Sequence, residues 1–340
     1  ADTASARALH DERSFVWLVV WLVVTRDGSF MERVTLVTQH DLQATAAKLS
    51  ERIQSLTPAP AADEMEVDRP APQRCELIQH PGGITSVGFE LHQQYADLRI
   101  ATVLAANSGR PGGAIRAADG TAEQSKVHGG HSTQEEDVVS NWLLTSAQDW
   151  RERQRRFAQI SGQWGLHEPH GRDARTLQGI DYTRVFPEVG ARMYADAWAL
   201  PGQALSRKEG TRFDTRAAYP TTLVFCAGPN ASTGGSTRGS MRRTFCQAAH
   251  DQRSFLEAGT AWAIYAALAA AAQGACDVVL VPFVGGGLYA GPWRGAPGLL
   301  ESFVRHIDAM LLEGVMPDGT GVPPLGGCFR KVCVVVLGRP

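Results

Sequence analysis

The sequence predicts an α/β protein with a parallel or mixed sheet covered by helices. From residue 98 to the end of the chain, apolar runs of strand length alternate with segments of helical apolar spacing. The clearest pair is a helical stripe over 255–272 followed at once by the apolar run 277–283. With 340 residues, 44% of them hydrophobic, the chain is long and apolar enough to build a sizeable core.

The first 73 residues differ in pattern from the rest of the chain. Their segments, in order, are a β-rich run (15–25), an Asp-Gly turn (27–28), an alternating run (34–37), a helical pattern (42–56) and a stretch rich in Pro, Ala and acidic residues (57–73). The two runs around the turn predict a hairpin, and the last stretch is typical of a linker. We therefore divide the chain into an N-terminal extension, 1–73, and a compact domain, 74–340.

The compact domain is predicted element by element from the period of its apolar residues. Strands are expected where short, β-branched runs occur, and helices where apolar residues recur every three or four positions. The predicted elements are a strand at 98–105, a helix at 135–157, a strand at 221–226, a helix at 255–272, a strand at 277–283, a helix at 297–312 and a strand at 331–337.

Charge and cysteine content exclude several classes of protein. The net charge of -2 creates no field that attracts nucleic acid or an anionic membrane. The apolar run 15–24 is about half of the ~20 residues that a membrane span needs, and no signal-peptide cleavage pattern follows it. The six cysteines are irregularly spaced without a CxxC pair, as is typical of free thiols in a reducing compartment. We expect a cytoplasmic protein with no membrane or nucleic-acid partner.

The sharpest motif is a glycine-rich segment after the predicted strand at 277–283. Gly285, Gly286 and Gly287 are consecutive and are followed by Leu288 and Tyr289. Glycines let backbone N–H groups approach a phosphate closely, and the N-terminus of a following helix adds partial positive charge. The segment therefore predicts a pyrophosphate-binding loop, although it matches neither the P-loop nor the Rossmann fingerprint.

Two further loops leave the ends of predicted strands. The first holds Asn107, whose side chain can bond ribose hydroxyls, and then Gly112 and Gly113, which allow close backbone contact. The second, after the strand at 221–226, holds Pro229 and Asn230. Because ligands of α/β sheets bind where loops leave the carboxyl ends of strands, we expect both loops to line one cleft.

A polar acidic cluster opens the predicted helix at 135–157. It contains Gln134, Glu135 and Glu136, followed by Asp137. Capping of the helix accounts for acidic residues in a first turn without any function. In the functional interpretation, one carboxylate binds ribose hydroxyls while its neighbour acts as general acid and then general base at a glycosidic carbon.

Taken in order, these motifs resemble the macrodomain superfamily, and specifically its poly(ADP-ribose) glycohydrolase-like branch. The resemblance covers roughly residues 98–312 and depends on the order of the motifs rather than on any one of them. The pieces that match are Asn107, Pro111-Gly112-Gly113, Gln134-Glu135-Glu136, Pro229-Asn230 and the segment from Gly285 to Pro292.

The resemblance implies a three-layer macrodomain fold with a central mixed sheet, and hydrolysis of a glycosidic ADP-ribose linkage. It implies that Glu136 is the catalytic acid and base and that Glu135 holds the ribose beside the scissile bond. The ligand would be ADP-ribose or an ADP-ribosylated protein, with no cofactor and no metal. The residues implied to contact it are Asn107, Gly112, Gly113, Gln134, Pro229, Asn230, Gly285, Gly286, Gly287, Leu288 and Tyr289.

The chain departs from the family pattern in two places. Ala114 stands where the family has a third glycine, and residues 114–133 form a longer link to Gln134. The segment after Gly113 also resembles the loop of mono-ADP-ribosyl-hydrolysing macrodomains, in which Asp119 or Asp137 would supply the working carboxylate. The leaving group therefore stays open among an ADP-ribose chain, a carboxylate, an arginine and a nucleic-acid end.

Two rival interpretations come from other classes. A module that reads ADP-ribose without hydrolysing it needs the phosphate loops but not the paired carboxylates Glu135 and Glu136. A zinc site built from His128, His131, His167 and His170 would be unusual, since it has neither a cysteine nor a carboxylate ligand. The hydrolase uses the whole set of motifs, and we take it as the primary hypothesis.

Overall fold

A computed structural model gives the fold of this chain over eight separate stretches. These stretches contain an N-terminal hairpin, a six-stranded sheet and the helices that cover the sheet. The described residues are 16–24, 30–38, 73–106, 138, 190–195, 197–207, 213–232 and 245–337.

Eight β-strands lie in the described residues, two in a hairpin and six in one sheet. The six-stranded sheet has the order β3-β8-β7-β4-β6-β5. The strands are β1 (Val16–Val24), β2 (Phe30–Thr38), β3 (Glu76–His80), β4 (Ile100–Ala105), β5 (Ala197–Arg207), β6 (Phe213–Cys226), β7 (Val278–Pro282) and β8 (Lys331–Leu337).

The sheet is mixed, as predicted. All neighbouring pairs run parallel except β5, which pairs antiparallel with β6. β5 was not predicted, because Pro201 and Gly202 interrupt its sequence. A proline cannot donate to a ladder and is tolerated in an edge strand, which is where β5 lies.

Helices cover the sheet on both faces. α1 (Gly83–Gln94) lies on one face, and α3 (Arg253–Gln273) with α4 (Leu299–Leu312) lies on the other. The short helix α2 (Gln247–Asp251) precedes α3. In the central strand β4, successive side chains point to opposite faces of the sheet and so enter different core clusters. Ala101 and Val103 belong to the core cluster of α3, whereas Ile100 and Leu104 belong to that of α1.

α3 is the centre of the larger core. It is long and apolar enough to span a bilayer by length and composition, but 78% of its most apolar window is buried inside the domain. Its length follows from an uninterrupted run of alanines and large apolar residues, which are good helix formers that pack closely. The helix predicted at 255–272 is confirmed, and so are the strand at 331–337 and, with a start at Leu299, the helix predicted at 297–312.

The N-terminal hairpin is confirmed. β1 and β2 pair antiparallel over their whole length, from Val16 with Thr38 to Val24 with Phe30. The sequence patterns did not predict β3 or α1, which precede β4. The helical pattern at 42–56 and all but Val138 of the helix predicted at 135–157 lie outside the described residues. The six cysteines are all free thiols, as expected.

Candidate functional site

The carboxyl ends of three neighbouring strands meet at one edge of the sheet. β4 lies between β6 and β7 and is parallel to both, so the loops that follow these strands emerge side by side. The ladder continues one residue beyond β4, where the Ala106 N–H donates to the Cys226 carbonyl at 2.8 Å. The sequence predicts the ligand cleft at this edge of the sheet.

The loop after β7 is built around tight turns. The Val284 N–H donates to the Pro282 carbonyl at 2.7 Å, and the Gly286 N–H donates to the Phe283 carbonyl at 3.3 Å. Gly285 has a φ of +71°, in the left-handed region that glycine adopts without strain. Gly287 is exposed, and a Cβ atom placed on it would meet nothing within 4 Å.

Two backbone amides of this loop have no protein partner in the part of the chain that the structure describes. Among the described residues, no protein acceptor pairs with the N–H of Gly285 or of Gly287. Neither residues 283–291 nor residues 227–232 include a charged side chain. An anion here would therefore be held by N–H groups, as in the concave nests that backbone amides form.

The helix expected directly after the glycines is not an α-helix. Residues Leu288–Trp293 form a short 3-10 helix that is interrupted at Gly291, and α4 begins only at Leu299. The prediction that a helix N-terminus adds charge at the glycine loop is therefore wrong. Pro292 and the backbone of Gly291, with φ 55° and ψ -123°, prevent a regular helix there. The side chain of Tyr289 is partly buried beside this turn.

The loop after β6 is buried and internally bonded. Asn230 is 3% exposed, and its side-chain oxygen accepts a hydrogen bond from the Ser232 N–H at 2.9 Å. Its main chain forms a parallel bridge with Phe245, and its carbonyl accepts from the Cys246 N–H at 2.8 Å. Asn230 therefore shapes the loop itself. The ligand contact implied for Asn230 stays a prediction.

The two loops contact each other. The Ala231 N–H donates to the Tyr289 carbonyl at 2.8 Å, which joins the loop after β6 to the loop after β7. At the same point a Cβ atom on Gly291 would overlap the Ala231 carbonyl. Glycine at 291 thus permits the close approach of the two backbones, which the sequence motifs did not reveal.

α3 packs against the loops after β6 and β7, through two residues that the sequence motifs did not indicate. A Cβ atom on Gly259 would overlap the ring of Pro229 and would lie 2.9 Å from Cδ2 of Tyr194. The next residue, Thr260, lies beside both loops: a Cβ atom built on Gly228 would be 3.1 Å from Thr260 Oγ1, and one built on Gly285 would be 3.0 Å from it. The signal in the sequence was a glycine and a threonine within an otherwise apolar helical stripe.

The remaining predicted site residues lie outside the described residues. They are Asn107, Gly112, Gly113, Gln134, Glu135 and Glu136, together with the alternatives Asp119 and Asp137. Val138, the residue after Asp137, is described: it is helical and 2% exposed. It belongs to the buried cluster on the α1 face, which also includes Leu104 and Ala106 at the end of β4.

Comparisons with known proteins gave matches among solved structures only. No family model and no curated protein matches the chain. Poly(ADP-ribose) glycohydrolase from Thermomonospora curvata is 16% identical with a TM-score of 0.44, and the match covers 93% of this chain and 88% of that one. The glycohydrolase from Deinococcus radiodurans in complex with ADP-ribose is 16% identical with a TM-score of 0.44, over 87% of this chain and 86% of that one. Likenesses at these identities and TM-scores assign no activity and no residue role to this chain.

Proposed function

We propose that this protein is a macrodomain-type hydrolase that cleaves a glycosidic ADP-ribose linkage. The observation that carries the proposal is the contact between two loops that the sequence singled out separately. Pro229 and Asn230 belong to one loop and Gly285–Gly287 to the other, and the Ala231 N–H to Tyr289 carbonyl bond joins them at the carboxyl edge of the sheet. A joined pair of uncharged loops with open amides suits the diphosphate and ribose of ADP-ribose.

The place where the acidic cluster joins the core supports the same function. Val138 lies in the core cluster that includes the end of β4, and Glu136 is two residues before it in the sequence. Two residues of extended chain span at most about 7 Å. We therefore expect Glu136, and Glu135 one residue before it, near the α1 face of the sheet.

The chemistry proposed for the two carboxyl groups needs no metal or cofactor. Glu136 in its acid form donates a proton to the leaving-group oxygen as the bond from that oxygen to the ribose C1 breaks. The resulting carboxylate then takes a proton from the water that attacks C1, which restores the acid. Glu135 accepts hydrogen bonds from ribose hydroxyls, and the loop amides hold the diphosphate so that C1 is fixed in place.

The test separates binding from hydrolysis. Calorimetry with ADP-ribose, against adenosine monophosphate as control, measures binding, and automodified poly(ADP-ribose) polymerase serves as substrate for product release. We expect Glu136→Ala to lower the rate at least about 100-fold, the range typical of general acid–base groups, while it still binds ADP-ribose. Glu313→Ala removes an exposed carboxylate at the end of α4 and serves as the matched control.

Each other outcome would assign a different function to the chain. Binding without product release would establish the ADP-ribose reader. Release only from a mono-ADP-ribosylated protein, abolished by Asp119→Ala or Asp137→Ala, would establish the mono-ADP-ribosyl hydrolase. No binding of ADP-ribose would overturn the proposed function altogether.

A further inference from the structure

We infer that Thr260 is a positioning residue that makes the loop after β6 and the loop after β7 move as one unit. The inference deepens the proposed function and rests on it for the identity of the ligand. It depends on three features of the described residues: the place of Thr260 between two glycines, the second junction between the loops, and the burial of the threonine in α3.

Thr260 lies between the two loops. A Cβ atom built on Gly228 would lie 3.1 Å from Thr260 Oγ1, and one built on Gly285 would lie 3.0 Å from the same oxygen. Distances this short are tighter than nine in ten contacts of real Cβ atoms, so a side chain at either position would press on Thr260. Both glycines therefore lie close to the same hydroxyl group, and we expect a displacement of either loop to act on it.

The loops are also joined at a second point. The Ala231 N–H bond to the Tyr289 carbonyl is one junction, and Thr260, beside Gly228 and Gly285, is the other. Two separate junctions fix both the distance and the angle between the loops. A single junction would leave them free to rotate about one contact.

The threonine itself is held firmly. It is 5% exposed and lies in the middle of α3, where a β-branched side chain has few allowed rotamers. α3 is in turn packed between the sheet and α4. The diphosphate would thus meet a cradle that is already formed, which reduces the ordering cost of binding.

The experiment compares two buried threonines. Thr260→Ala removes the shared contact, and Thr260→Ser keeps Oγ1 and serves as the rescue variant. Thr85→Ala is the matched control, because Thr85 is 4% exposed in α1 on the opposite face of the sheet. Amide hydrogen exchange of residues 227–232 and 284–290 is measured without ligand, and ADP-ribose affinity is measured by calorimetry.

We expect Thr260→Ala to speed exchange in both loops together by about fivefold and to weaken ADP-ribose binding by a similar factor, as local opening of a support does. Thr260→Ser and Thr85→Ala should leave both loops within about twofold of the wild-type exchange rate. Faster exchange in one loop alone, or equal acceleration in Thr85→Ala, would overturn the inference.

A second variant tests the coupling from the loop side. Gly228→Ala pushes a methyl group against Thr260 Oγ1 and should speed exchange in the loop after β7, which is unaltered in sequence. Combining Gly228→Ala with Thr260→Ala makes room for the methyl group. The loop amides of the double variant should therefore exchange more slowly than the sum of the two single-variant effects predicts. Additive effects would contradict the coupling. If the wild-type protein binds no ADP-ribose, the proposed function fails while the exchange measurements still decide the role of Thr260.

Discussion

The loops after β6 and β7 leave the same edge of the sheet, but one is buried and the other is open. Asn230 and Ala231, in the first, are 3% and 0% exposed. Gly287, in the second, is exposed and has free space where a side chain would be. Under the proposed function, the buried loop would support the site and the open loop would contact the ligand.

The hydrogen bonds of the two loops follow the same division. In the buried loop, Asn230 bonds to Ser232 through its side chain and to Cys246 through its carbonyl. Such bonds are required because an unsatisfied buried polar group is costly. In the open loop, the N–H groups of Gly285 and Gly287 have no protein acceptor among the described residues.

The largest effect is expected where the two loops touch. Gly291→Ala places a Cβ atom into the Ala231 carbonyl and strains a residue with φ +55°. We expect the free energy of unfolding to fall by about 3 kcal/mol, the range for steric overlap combined with backbone strain. Urea denaturation of the variant measures it.

Gly295→Ala is the matched control for that variant. Gly295 has a φ of +73° but nothing within 4 Å of its Cβ position, so its substitution carries the backbone strain without the overlap. We expect a loss of about 1 kcal/mol there. Equal losses in both variants would mean that the loops are not held against each other at Gly291.

The contrast between the loops shows how far the sequence could predict this site. The glycines at 285–287 and the pair Pro229-Asn230 stand at strand ends in the sequence, and the parallel sheet brings those ends together. The contacts of Gly291 with Ala231 and of Thr260 with Gly228 join residues far apart in the chain. Local patterns carry no information on such approaches, which depend on how α3 packs.

Prediction of the fold from local sequence patterns has the same limit. Strands with continuous apolar runs, such as β7 and β8, were predicted, because both of their faces are buried. β5 has Pro201 and Gly202 in its middle and forms a strand only because β6 lies beside it. Tertiary pairing overrides local propensity there.

The open loop is tested by a substitution that folding should tolerate. Gly287→Ala adds a methyl group in free space at a φ of -92°, so we expect the free energy of unfolding to change by less than about 0.5 kcal/mol. The same methyl group would stand where a phosphate approaches the backbone, so ADP-ribose affinity should fall at least about tenfold.

Gly327→Ala is the control for affinity, since Gly327 also has free space at its Cβ position but lies in the separate 3-10 helix Gly326–Cys328. We expect Gly327→Ala to bind ADP-ribose with the affinity of the wild-type protein. Unchanged affinity in Gly287→Ala as well would show that the open loop does not contact the ligand.

The smallest effect is expected from lowering the pH, through protonation of the Asp318 carboxylate. Tyr194 and Pro229 both lie beside Gly259 of α3. Arg192, two residues before Tyr194, lies 6.0 Å from the ring centre of Trp262 and donates to Thr320 at 3.2 Å. Trp262 donates to the Asp318 carboxylate at 2.9 Å.

Burial of Asp318 acts to raise its pKa, but hydrogen bonds from Trp262 and Thr320 and the charge of Arg192 outweigh it, so the pKa lies below its ordinary value. A lowered folded-state pKa contributes stability above the unfolded value of about 4 and loses it as the pH falls through the folded value. The wild-type melting temperature should therefore exceed that of Asp318→Asn at pH 6, and the gap should close toward pH 3. The gap should be modest, because Asp318 is exposed and water screens its charge. A gap that stays constant down to pH 3 would show that the ionised Asp318 carboxylate does not stabilise the fold through its bonds with Trp262 and Thr320.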